Sequence, residues 1–179
     1  ALTSPPPPKI NITLIMALSR PTAFTDALIS AVCLGVAEII IVDTARTEST
    51  LWDSHLTKVC EVEAMARLGL GQSGRDTVLP RIRVLGRRSW RKFIDKELLR
   101  VPLEARYYAH PRDDDQGNTL NAVNDALQQL AKPTTATPVT IAIGPEGGFV
   151  TSEVEDFEQT SFKRLDLGER ILKVEHAVL

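Results

Sequence analysis

Two glycine-bearing turns hold the residues best placed for chemistry. The apolar run Val139 to Ile143 (VTIAI) leads straight into Gly144-Pro145-Glu146-Gly147-Gly148-Phe149, and the short stretch Phe162 to Leu167 opens onto Gly168, Glu169 and Arg170. Glycine lets a ligand lie against bare backbone and adopts φ angles that other residues avoid. In open α/β sheets, ligands bind beyond the carboxyl ends of strands, where both turns would fall. The first turn lacks the G-x-G-x-x-G spacing of a dinucleotide fingerprint and the G-K-[ST] ending of a phosphate loop, which disfavours a nucleotide-phosphate site. Taken alone, such a turn serves the fold as readily as a ligand.

A second feature is electrostatic. The segment RIRVLGRRSWRK carries Arg81, Arg83, Arg87, Arg88, Arg91 and Lys92 around Trp90. Basic groups with an interleaved aromatic suit a phosphate backbone and a stacked base; a solvated loop accounts for them equally well. Cys33 and Cys60 have no His or Cys at metal-ligand spacing, so two buried thiols are expected and no metal site.

The elements that must position these turns follow from periodicity. Asn11 to Leu18 and Glu38 to Asp43 read as strands covered on both faces, with a helix between them that starts near Pro21 and stops at Gly35. Such a strand-helix-strand unit implies parallel pairing. Trp52 to Leu68 reads as a helix, and Gly69 to Pro80 as a loop broken by Gly69, Gly71 and Gly74. A strand at Arg106 to Ala109, a short helix at Leu120 to Leu130, a helix opened by Ser152 with Glu155 as a capping box, and a final helix from Ile171 complete the alternation. The fold class is α/β, an open and mainly parallel sheet with helices on both faces. The 179 residues, 43% hydrophobic with a formal charge of -2, suit one domain. No apolar run is long enough to span a bilayer. Residues 1–10, with four consecutive prolines, read as a linker and lack the order of a signal peptide, which suggests a cytoplasmic location, or an organellar one if a transit sequence has been removed.

IAIGPEGGF at Ile141 to Phe149 and LDLGERILKVEHA at Leu165 to Ala177 together resemble the ribosomal RNA small-subunit methyltransferase E family of the SPOUT superfamily. That family carries a G-P-E-G-G turn and, about twenty residues on, an L-G-x-R-I-L-R-x-E-T-A segment. LGVAEIIIVDTARTES (Leu34 to Ser49), GLGQSGRDTVLPRI (Gly69 to Ile82) and YAHP (Tyr108 to Pro111) are similar to family segments in the same order. The resemblance covers most of residues 11–179 and implies a C-terminal deep trefoil knot, a homodimer and S-adenosylmethionine as cofactor. It also implies methylation of the position-three ring nitrogen of a uridine in small-subunit ribosomal RNA.

Residue by residue, it places Ile143, Gly144, Glu146, Gly147 and Gly148 in the first cofactor loop, and Leu167, Gly168, Ile171 and Leu172 in the second. Arg170 matches the family's arginine. Lys173 stands where arginine is usual, keeping the charge but losing a bidentate fork, and His176 stands where threonine is usual. The acceptor nitrogen must lose its proton, so a base or a cation facing the uracil anion is required. Arg170, Lys173 and Glu175 are the catalytic candidates, with His176 more suited to packing or a dimer interface. Arg46, Gln72, Arg75, Arg87 and Arg88 are candidate contacts to RNA; the first three are alternatively contacts to a partner subunit, and Arg46 reads equally well as a plain surface charge. The family's N-terminal PUA-like RNA-binding domain and the end of its last helix are expected to be absent. Two other readings stay open: a SPOUT enzyme acting on tRNA ribose or another base, and a non-catalytic RNA-binding or ribosome-assembly protein.

Overall fold

The computed structural model describes residues 6–74, 78–103, 105–111, 138–168 and 170–179. Six strands form one sheet: β1 (Ile10–Ala17), β2 (Val36–Val42), β3 (Arg81–Val84), β4 (Ala105–Ala109), β5 (Val139–Ile143) and β6 (Lys163–Leu165), in the order β3-β2-β1-β5-β4-β6. Every neighbouring pair is parallel. The strands are apolar on both sides because both faces are covered. On one face Leu14, Met16, Ile39 and Ile41 pack with α1 (Pro21–Cys33) and α2 (Val59–Ser73). On the other, Ile15, Ile40, Val42, Tyr108 and Ala142 meet Phe93, Phe149, Phe157 and Phe162. Helix α1 begins with Pro21 in its first turn and ends at Gly35, whose φ of +81° is left-handed and whose carbonyl accepts from Ile10 N at 2.9 Å.

Several local expectations are corrected. The region from Trp52 is two 3-10 turns, Ser49–Asp53 and His55–Thr57, before α2 runs on to Ser73. Gly69 and Gly71 lie inside α2 rather than breaking it. A Cβ on Gly69 would stand 2.8 Å from both Ile29 O and Val32 Cβ, so this glycine is where α2 closes on α1. Only Gly74, with φ +66°, ends the helix. The helix α4 (Thr151–Gln159) starts two residues before the expected capping box: Glu153, not Glu155, accepts from the Val150 N–H at 2.9 Å.

Trp90 begins α3 (Trp90–Lys92), which continues through a π turn, Phe93–Glu97, and a 3-10 turn, Leu98–Arg100. Its ring lies edge-on to Phe157 at 5.2 Å and its indole N–H donates to Asp156 at 2.8 Å, so it packs, partly buried, against the aromatic cluster of that face. Cys33 is half-buried and Cys60 exposed, against the expectation of two buried thiols. The final helix, α5, is confined to Val174–Ala177. The helix expected over residues 120–130 lies outside the described residues.

Candidate functional site

Strand register sets the two turns on one edge of the sheet. Ala109, the last residue of β4, pairs with Ile143 of β5 on one side and Leu165 of β6 on the other. Met16 pairs with Ile143, and Ala17 with Val42. The strands therefore stop level along one carboxyl edge, and the Gly144 and Gly168 turns leave it two strand spacings apart, about 10 Å.

The first turn is tightly built. Gly148 N donates to Pro145 O at 2.8 Å, and Gly148 sits at φ +70°. A Cβ on Gly144 would come within 3.3 Å of the Gly148 backbone. The Arg20 N–H donates to Glu146 Oε1 at 2.9 Å, tying the turn to the end of β1. From the end of β2, Arg46 donates through Nη1 to Gly147 O, and the Ala45 N–H donates to Glu153 Oε1 at 2.7 Å. Glu153 is buried, yet each carboxylate oxygen accepts a backbone N–H, from Ala45 and Val150.

The second turn is open. Gly168 has φ +119°, its N–H donates to buried Asp166 Oδ1 at 2.9 Å, and a Cβ there would meet nothing within 4 Å. Leu167, Gly168, Arg170 and Leu172 line an open cleft of about 410 Å³. Its lining comes from the second turn alone. Leu167 and Leu172 are each 42% exposed and Ile171 is 86% exposed, leaving apolar surface at the mouth for a flat ring to cover.

Of the remaining candidates, Lys173 is exposed, with its Nζ 4.0 Å from Glu175 Oε1; neither lines the cleft. His176 is exposed on α5, which packs against α1. Arg87 and Arg88 follow β3 on the same carboxyl edge. Arg88 has a left-handed backbone, φ 55°, and its N–H donates to Asp43 Oδ2 at 2.6 Å; Asp43 Oδ1 in turn accepts the Trp52 indole at 2.5 Å. Arg87 pairs loosely with Asp53 at 3.7 Å. Gln72 is not gathered into this site. It lies near the end of α2 beside Cys33, the last residue of α1, at the opposite, amino edge of the sheet. Arg75 lies outside the described residues.

Sequence reasoning missed Asp43, Glu153 and Asp166, the carboxylates that brace the loops. A carboxylate at a strand end, or at the third position of a helix, was the available signal. Among the described residues, no group of three or more His, Cys, Asp or Glu could hold a metal, and no helix is long and apolar enough to cross a membrane.

The model of the RNA methyltransferase domain family matches residues 6–179. Among solved structures, the chain is similar to the ribosomal RNA small subunit methyltransferase E of Neisseria gonorrhoeae bound to S-adenosyl methionine, at 23% identity and TM-score 0.69, over 99% of this chain and 65% of that one. It is likewise similar to a Legionella pneumophila protein solved with bound SAM, at 23% identity and TM-score 0.71, over 97% of this chain and 64% of that one. The chain thus spans just under two thirds of the length of these two proteins. No curated protein matches it.

Proposed function

The chain belongs to the RNA methyltransferase domain family, and from that premise we propose that it methylates RNA with S-adenosylmethionine, its target being the position-three nitrogen of a uridine in small-subunit ribosomal RNA. The observation that carries this reading is the level pair of glycine turns with the cleft at Gly168. The site fits the cofactor: Gly168 has no neighbour where a Cβ would stand, and Leu167 and Leu172 offer apolar cover. When bound, S-adenosylmethionine supplies a methyl group on a positively charged sulfur.

The chain's own residues then position and stabilise. Arg170, on the cleft wall, would face the negative charge left on the uracil when its N3 proton has passed to solvent. Lys173, held near Glu175, is the second cationic candidate and lies outside the cleft lining. Arg87 and Arg88 take phosphates along the same edge. Holding the acceptor in line with the methyl supplies much of the acceleration. A homodimer and a C-terminal trefoil knot belong to the same proposal.

The test is incubation of the chain and labelled cofactor with unmodified small-subunit RNA and, separately, tRNA, followed by mass mapping. The reading predicts one N3-methyluridine in the ribosomal RNA. Methylation of tRNA alone assigns the chain to a different substrate, and no transfer to either, with cofactor bound, points to a non-catalytic RNA binder.

A further inference from the structure

We propose that Arg46 is a positioning residue for the Gly144–Gly148 turn, setting cofactor affinity through Gly147 rather than by touching RNA; this rests on the cofactor reading above. Two independent features of its side chain point to this. The guanidinium donates to Gly147 O, 101 residues away in sequence. The aliphatic stem lies directly over the same residue: a Cβ on Gly147 would meet Arg46 Cδ at 3.1 Å and Arg46 Cβ at 3.3 Å. Gly147 thus lacks a side chain where the arginine stem passes, and the head of that arginine fixes its carbonyl.

The loop carrying Arg46 is anchored on both sides, so the side chain reaches from a fixed base. Ala45 N is held by Glu153, which also holds Val150 at the far end of the turn. Thr47 Oγ1 donates to Leu18 O at 3.3 Å and shares a 2.8 Å hydrogen bond with Thr44 Oγ1. Arg46 and Glu153 therefore grip the Gly144–Val150 segment at its middle and its end. The guanidinium's hydrogen bond goes to the turn itself, to the backbone carbonyl of Gly147. A hydrogen bond from a charged donor is stronger than a neutral one, and without it the turn samples geometries that do not receive the ligand.

The discriminating measurement is calorimetric titration of the full chain with S-adenosylmethionine in the absence of RNA, where a residue that serves only RNA has no effect. Arg46→Ala is expected to raise the dissociation constant about tenfold or more. Arg46→Met, which keeps the stem and loses the donor, falls between the two and serves if the alanine variant does not fold. A change smaller than about threefold in the folded variant overturns the proposal. Amide exchange at Gly148 provides a ligand-free readout, expected to quicken in the same variants; unchanged exchange also overturns the proposal. If the unaltered chain takes up no cofactor, the proposed function fails, and Gly148 exchange alone still decides whether Arg46 holds the turn.

Discussion

Gly168 shows how a single residue type shapes the candidate site. At φ +119° it occupies backbone space that side-chain-bearing residues rarely enter, although nothing stands where a Cβ would go. Gly168→Ala therefore acts through strain, of the order of 1–3 kcal/mol, and is expected to weaken cofactor binding at least several-fold while leaving the core packed, read by calorimetry and a thermal melt. Tyr108 offers a pH-dependent counterpart on the other side of the sheet. Burial pushes its phenol above the ordinary 10.0; the Arg164 side chain opposes this, and the hydrogen bond to Glu158 adds to it. The folded phenol ionises later than the unfolded one, so its stabilisation is complete below pH 10 and is lost as pH rises toward the raised value. Alkaline unfolding curves should show that decline, and Tyr108→Phe should flatten it. The glycines of both turns are legible in the sequence because their type alone signals unusual backbone. The place of Trp90 is not, because its partners Phe149, Phe157 and Asp156 are distant along the chain.

Elements bring those residues to one edge, and here the sequence is informative about type more than about boundaries. Two-sided apolar runs identify β1, β2 and β5, and Pro21 and Gly35 bracket α1. Gly69 reads as a break because glycine disfavours helices, whereas its role is close approach between α1 and α2. Gly69→Ala should destabilise the chain by about 1–3 kcal/mol through overpacking, measured by denaturant unfolding, while leaving cofactor affinity per folded molecule unchanged. The neighbouring Gly71, where a Cβ would meet nothing, should tolerate alanine without cost. The start of α4 is hard to place because Val150 offers no side-chain oxygen to mark a cap; the signal is Glu153 reaching back to the Val150 N–H.

At the scale of the molecule, the sheet order is not readable from the chain. That β4 lies between β5 and β6 depends on crossovers rather than on composition, and this placement makes the turns level. The same edge carries the Arg87–Arg88 loop, held by Asp43. Replacing both arginines with alanine should weaken RNA binding and lower the slope of log affinity against log salt by about 1 for each phosphate no longer neutralised. Cofactor affinity should stay unchanged, since neither residue lines the cleft.

The most direct test is the backbone amide spectrum of the isotope-labelled chain, titrated with S-adenosylmethionine. Shifts concentrated at Gly144–Gly148 and at Leu167–Leu172, saturating together, are predicted. Saturable shifts that avoid both segments, or no shifts at millimolar cofactor with the chain folded, would contradict a shared site at the carboxyl edge.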